Sequence, residues 1–339
     1  MITAEYIVVE VSVLNWLTKQ TTSVLDLEHG QVSRYQESQF DKISSATSAQ
    51  LRVVFDPSDT DTCAALDNWL AKLTLTRVTS NYSICLLTRS NSYLGFELTF
   101  NAQHQDVVAD FPSSSLAQYF WMTQPLAKLA QPGLLVMDMD STAIEIECID
   151  ELAAMAGVGD AVAEVTAQAM RGELDFEQSL RTRVSKLAGA DEAIITELCA
   201  NLPIMPGLED SLSELKQHQW KLVVASGGFT PFVNDLKQKL GLDAAFANEL
   251  VIESGTLNGT VTGDVVDAQY KADVVVRMAE QWGIGCGQRV AIGDGANDIP
   301  MINQADLGLA FHAKPKLKQQ ADIAIDRLDM RALVFCLQG

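Results

Sequence analysis

Two kinds of apolar pattern divide the chain. Up to about residue 105 the apolar positions are short runs mixed with polar residues. Residues 6–13 predict a strand from their β-branched content. Residues 30–50, polar and rich in Ser and Gln, predict a loop. Residues 51–55 predict a second strand, ended by Asp56-Pro57. Helical spacing follows over 63–73, then a hairpin pair over 82–87 and 93–100. Residues 106–132 include Phe111-Pro112-Ser113-Ser114-Ser115 and a predicted helix reaching about Leu129, closed by Gln131-Pro132-Gly133.

From Gly133 onward, short wholly apolar runs alternate with helical spacing. Buried strands are predicted at 133–137, 221–225, 289–292, 307–310 and 323–325. Helices are predicted at 208–217, 230–240, 270–281, 299–304 and 316–320, with a hairpin flanking residues 254–259. Between the first two strands, about 143–203 holds helical spacing only, with Asp160 a candidate N-cap. The pattern predicts an α/β fold: a doubly wound parallel sheet over 133–339 with an inserted helical cap placed to act as a lid. A small α/β domain precedes it over 1–105, with 106–132 connecting the two.

Charge narrows the functions. Asp and Glu number 44 against 24 Lys and Arg, a formal net charge of −20. Such a surface repels phosphate backbones, so nucleic acid is excluded as a partner. No apolar run approaches the length of a membrane span and the start has no signal-peptide pattern. Six scattered cysteines without a Cys-x-x-Cys pair suit a reducing, cytoplasmic setting.

Candidate chemistry collects at the predicted strand ends. The first strand runs into Asp138-Met139-Asp140-Ser141-Thr142. Alternate residues of an extended segment point the same way, so Asp138 and Asp140 converge where α/β sheets place their ligands. Paired carboxylates there suit a hard cation such as Mg2+, and one of them can attack as a nucleophile. The second strand ends in Ser226-Gly227-Gly228, a hydroxyl beside backbone N–H groups that can approach an anion, with a helix start nearby. The third ends in Gly293-Asp294-Gly295-Ala296-Asn297-Asp298, where Asp294 is a third oxygen ligand. Lys271, at the start of a helix, offers a point charge for a phosphoryl group.

In this order the motifs resemble the haloacid-dehalogenase-like hydrolase superfamily over about residues 133–330. Further residues carry the likeness: Glu147, the run Phe176 to Val184, and Phe311-His312-Ala313-Lys314-Pro315. His312 departs from the small residue usual there, with no expected effect on chemistry. The resemblance implies an Mg2+-dependent phosphomonoesterase that converts O-phospho-L-serine to L-serine in the last step of serine biosynthesis. By it, Asp138 becomes phosphorylated and Asp140 is the general acid and base. The metal is held by Asp138, Asp294 and a main-chain oxygen at Asp140. Ser226, Gly227, Lys271 and Asn297 hold the phosphoryl group, and Asp298 supports Lys271 or a metal-bound water. Glu147 meets the substrate ammonium, Arg183 its carboxylate, and Phe176 and Met170 form an apolar wall. The alternatives are a phosphomutase, a phosphatase of another small metabolite, and a binding protein without turnover. The intact acid and lysine set argues against the last, and Glu147 with Arg183 argues against a sugar mutase. The amino-terminal domain is similar in element order to regulatory ACT-type domains. Its alternative role is packing or dimerisation, which would give a homodimer.

Overall fold

The computed structural model describes residues 12–19, 24–27, 30–35, 48–76, 82–101, 105–114, 116–123 and 125–339. Its chain divides into two compact units, Met1–Gln124 and Pro125–Gln338.

The first unit holds a six-stranded sheet of β1 (Val24–Leu27), β2 (Gly30–Tyr35), β3 (Ser48–Phe55), β4 (Tyr82–Thr88), β5 (Leu94–Asn101) and β6 (Ala117–Met122), in the order β1-β2-β4-β5-β3-β6. Among the described residues of this unit only the β2–β4 pairing is parallel. Alternation puts Leu51, Val53 and Phe55 of β3 on one face with Phe96, Leu98 and Phe100 of β5. That face buries Leu14 and Leu17 of helix α1 (Val13–Thr18) and Leu66, Trp69 and Leu70 of α2 (Thr60–Thr76).

Three sequence expectations fail in this unit. Residues 6–11 of the predicted first strand lie outside the described residues. Val13, assigned to that strand, instead opens α1, because the Ser12 hydroxyl accepts the Asn15 N–H at 3.0 Å and caps a helix. The predicted loop over 30–50 is strand at both ends, as β2 and the start of β3, while 36–47 lies outside the described residues. The helix predicted to reach Leu129 is replaced by β6, which pairs with β3 from Gln50↔Met122 to Phe55↔Ala117. Its alternate residues Ala117, Tyr119 and Trp121 pack on the core cluster, as pleated aromatics do.

The second unit contains a seven-stranded sheet ordered β10-β9-β8-β7-β11-β12-β13. Its strands are β7 (Leu134–Met137), β8 (Lys221–Phe229), β9 (Ala244–Glu253), β10 (Thr256–Thr262), β11 (Arg289–Gly293), β12 (Leu307–Phe311) and β13 (Ile323–Ile325). All pairings are parallel except the β9–β10 hairpin. Every residue of β7 and β12 is buried, which explains why both read as unbroken apolar runs.

Helices α3 (Cys148–Met155), α4 (Gly159–Met170), α5 (Phe176–Lys186) and α6 (Ala193–Ala200) form the insertion between β7 and β8. At its root the two chain crossings pair through an isolated bridge, Ile144↔Ile204. Asp160 falls in the first turn of α4, whose N-cap is Val158; the turn at Gly157 starts the helix earlier than the capping signal implied. The remaining helices are α7 (Leu208–Gln217), α8 (Thr230–Leu240), α9 (Ala268–Trp282), α10 (Ile299–Gln304) and α11 (Pro315–Lys318). Val274, Val275 and Met278 of α9 and Met301 and Ile302 of α10 pack against Val136, Val223 and Ala291 of the sheet. Strands β8 and β11 flank β7 on opposite sides, so the order reverses at β7. A crevice opens at such a switch point, outside the strands' carboxyl ends.

Candidate active site

The chain turns sharply after β7. The Ala143 and Ile144 N–H groups both donate to the Met139 carbonyl, at 2.7 and 3.0 Å, and Ser141 takes a left-handed φ of 55°. This turn presents both aspartates to a cavity of about 260 Å³. Asp138 is 4% exposed; its Oδ1 accepts the Met139 N–H at 2.7 Å and its Oδ2 pairs with Lys271 Nζ at 2.7 Å. Lys271, in the first turn of α9 and 1% exposed, also donates to Asp298 Oδ1 at 2.9 Å. The other oxygen of Asp298 accepts the N–H groups of Asp294 (3.2 Å) and Gly295 (3.0 Å).

The charges in this cluster do not balance. One oxygen from each of Asp138, Asp294 and Asp298 lies within 4.8 Å of the others. Burial and the charge of Asp298 push the Asp138 carboxyl well above the usual range, against the pull of Lys271. Burial and Asp298 push Asp294 up to about 6. Burial opposes the charge on Lys271, but Asp138 and Asp298 outweigh it and raise its pKa. An all-oxygen donor set carrying surplus negative charge fits a hard divalent cation. Asp138 and Asp294 line the cavity and Asp298 does not, so these two are the better ligands.

Asp140 stands apart from that cluster. Burial, then the charge of Glu147, raises its carboxyl to about 7. Its Oδ1 accepts the Cys148 N–H at 3.2 Å. Its Oδ2 faces the Gly228 backbone: a Cβ at Gly228 would stand 3.1 Å from it and 2.9 Å from Met139 Cε, so a side chain there would crowd the site. Ser226 is 1% exposed and its Oγ accepts the Gly228 N–H at 2.9 Å.

The cap supplies the opposite wall. Phe176, Leu180 and Arg183 of α5 line the cavity with Glu147, which precedes α3 and accepts the Ser141 hydroxyl at 2.9 Å. A Cβ at Gly227 would meet the Phe176 ring at 2.9 Å, so cap and core are closely apposed there. Arg183 and Arg181 are two residues apart on one helix, about 200° around it. Arg183 faces the cavity, and its buried Nε has no hydrogen-bond partner. Burial lowers its pKa while Asp150, Glu147 and Asp140 raise it. Arg181 is spent on Glu177 at 2.8 Å.

The structure thus brings Asp138, Asp140, Glu147, Phe176, Arg183, Ser226, Gly227, Asp294 and Asn297 to one cavity. Lys271 and Asp298 sit behind Asp138. Met170 does not join them: it lies outside the cavity and is 78% exposed. Val162 and Val165 set the buried face of α4, and Met170 is about 140° round the helix from Val165. His312 is also outside the cavity wall; its Nε2 meets the Leu328 carbonyl at 2.8 Å. Sequence reasoning missed Lys314, which lines the cavity and whose N–H donates to the Asp294 carbonyl at 3.0 Å. It belongs to the Phe311–Pro315 motif, and its place just after β12 is the available signal.

Residues 133–306 match the model of the haloacid dehalogenase-like hydrolases. A phosphoserine phosphatase of Haemophilus influenzae is 56% identical over 212 residues, 62% of this chain and 68% of that one. A crystal structure of a probable phosphoserine phosphatase from Vibrio cholerae, unliganded, superposes with a TM-score of 0.69 at 40% identity, covering 85% of this chain and 86% of that one. A substrate-bound phosphoserine phosphatase complex superposes with a TM-score of 0.58 at 42% identity, covering 61% of this chain and 99% of that one.

Proposed function

The chain belongs to the haloacid dehalogenase-like hydrolase family, and within it we propose an enzyme that hydrolyses O-phospho-L-serine to L-serine and phosphate. One observation carries the reading: a single cavity has two carboxylates backed by a lysine at one end, and a glutamate and an arginine at the other. The first set suits a phosphoryl group. The second suits the ammonium and carboxylate of an amino acid. The likeness to phosphoserine phosphatases over 62% and 61% of this chain supports the same substrate.

The chemistry follows from the residues. Asp138 attacks phosphorus, forming the aspartyl-phosphate as the bond to the seryl oxygen breaks. Asp140 gives its proton to that leaving oxygen. Water then attacks the phosphorus and passes a proton to Asp140, and the bond to Asp138 breaks to release phosphate. A carboxyl raised to about 7 suits a group that must act as acid and then as base. The Ser226 hydroxyl and the Gly227 N–H hold phosphoryl oxygens near the start of α8, where the helix dipole favours anions. Asn297 adds a neutral donor. Lys271 favours the ionised form of Asp138 and orients it, and Asp298 holds Lys271 in place. Glu147 receives the substrate ammonium and Arg183 its carboxylate, with Phe176 and Leu180 as apolar wall. Mg2+ held by Asp138 and Asp294, with the Asp140 main-chain oxygen, would neutralise phosphate charge that otherwise repels the nucleophile.

The test is phosphate release from a panel of small phosphomonoesters, with and without Mg2+. Phosphoserine should be the best substrate, and activity should vanish in chelator and return with Mg2+. Preference for a sugar phosphate, or full activity in excess chelator, would refute the reading.

A further inference from the structure

Asn248 is 1% exposed and lies on β9, away from every motif that marks the site. It stands beside an irregularity in β8. The parallel pairing steps from Ala225↔Phe246 directly to Phe229↔Asn248, so β8 takes four residues where β9 takes two. The residues between these pairs are Ser226, Gly227 and Gly228, opposite Ala247 alone, and they line the phosphoryl end of the cavity. A bulge of this kind re-aims side chains but leaves backbone groups without ladder partners.

The Asn248 side chain supplies those partners. Its Nδ2 donates to the Gly227 carbonyl at 2.8 Å and to the Gly228 carbonyl at 3.2 Å. Its Oδ1 accepts the Val266 N–H at 2.9 Å. The two ends of the amide cannot be exchanged, since one side meets two acceptors and the other a donor.

Two consequences follow. A trans peptide is planar, with its C=O and N–H on opposite sides. Holding the Gly227 carbonyl therefore turns the Gly228 N–H to the other side, where it donates to Ser226 Oγ at 2.9 Å. With its oxygen occupied in this way, Ser226 is left to donate its own hydroxyl to a phosphoryl oxygen. Separately, Val266 precedes Asp267, the N-cap of α9, and Lys271 lies in the first turn of that helix. One amide thus joins the bulge that carries Ser226 to the start of the helix that carries Lys271.

We propose that Asn248 is a positioning residue for phosphoryl binding, fixing the Gly227–Gly228 peptides and locking them to the start of the Lys271 helix. This rests on the reading of that strand end as the phosphoryl site.

The experiment compares the full chain with Asn248→Ala and Asn248→Asp, and with Ser211→Ala as a control. Ser211 is fully buried and its hydroxyl donates to the Met330 carbonyl at 2.7 Å, outside the site. Three quantities are read: affinity for inorganic phosphate by calorimetry, kcat/KM for phosphoserine, and Tm. Asn248→Asp keeps the side-chain shape and the acceptor for Val266 but sets an anion against two carbonyls, so it covers the case in which the alanine variant fails to fold. Both Asn248 variants should bind phosphate and turn over phosphoserine about tenfold less well or worse, whereas Ser211→Ala should lose Tm and leave both unchanged. Folded Asn248 variants with wild-type phosphate affinity would overturn the proposal, and so would loss of fold in both, which would make the residue structural only. A wild-type protein that binds phosphate but does not turn over phosphoserine would count against the substrate reading alone, because phosphate affinity still ranks the variants.

Discussion

Two buried ion pairs, one in each unit, are built to opposite ends. In the first unit Arg52 and Glu97 stand directly opposite on β3 and β5. Both Nε and Nη2 of Arg52 meet Glu97 Oε2, at 2.9 and 2.6 Å, and the side chains are 4% and 7% exposed. In the second unit one ammonium, Lys271, serves Asp138 and Asp298, with Asp294 close by. A matched pair between strands holds register. A cluster with surplus carboxylate, open to a cavity, is costly to the empty protein. It is sustained where a cation or substrate restores the balance, and perturbed carboxyls gather at such sites for that reason.

The comparison is broken most severely at Asp138. Asp138→Asn should lower turnover by about 10⁴-fold or more. It removes surplus negative charge and leaves the Lys271–Asp298 pair intact, so the Tm should hold or rise. Glu97→Gln should do the reverse. It removes the carboxylate that faces a buried guanidinium and should cost up to about 3–5 kcal/mol, visible as a fall in Tm with little change in kcat at temperatures where the protein stays folded. A fall in Tm for Asp138→Asn as deep as that for Glu97→Gln would remove the distinction.

A smaller effect is expected at Arg183, whose unpartnered Nε is the same kind of imbalance on the cap side. A charge-assisted contact to the substrate carboxylate is worth about 1.5–3 kcal/mol. Arg183→Ala should therefore cost roughly 10- to 100-fold in kcat/KM for phosphoserine. It should cost far less for phosphoethanolamine, which has no carboxylate. Arg181→Ala should alter neither much. Equal losses on both substrates for Arg183→Ala would assign the residue to holding the cap.

The smallest effect concerns a matched pair at the amino-terminal end of β11. Arg289 grips both oxygens of Asp306, at 2.8 and 2.6 Å, and its hydrogen bond lowers that carboxyl from 3.8 to about 2. A depressed carboxyl gives stability that is present above its unfolded pKa and lost as pH falls through the folded one. Relative to Asp306→Asn, wild type should be more stable by on the order of 1 kcal/mol near neutrality, allowing for solvent screening. The gap should close between about pH 4 and 2. A gap that stayed constant over that range would mean the pair does not titrate as described.

What could be read in the sequence follows the same divide. The parallel strands β7 and β11 were legible because both faces of the sheet are covered, so each is an apolar run whose polar end marks the crevice. Asp138, Ser226 and Asp294 were found that way. Strand β6 was not, because Tyr119-Phe120-Trp121-Met122 carries no polar alternation to separate strand from helix. Met170 was misplaced because its type suggested the wall while helix phase turned it outward. Asn248 left no trace, since its role depends on a bulge in a neighbouring strand that local pattern does not encode.

The central claim is that Asp138 is the atom-bearing group to which phosphorus is transferred. The most direct test is to quench the wild-type enzyme during turnover of phosphoserine, reduce with borohydride, and map the modified residue by mass spectrometry. Reduction of an aspartyl-phosphate converts the aspartate to homoserine. The account predicts homoserine at position 138 alone, dependent on substrate and absent from Asp138→Asn. Modification at another residue, or sustained phosphate release from Asp138→Asn at the wild-type rate, would contradict it.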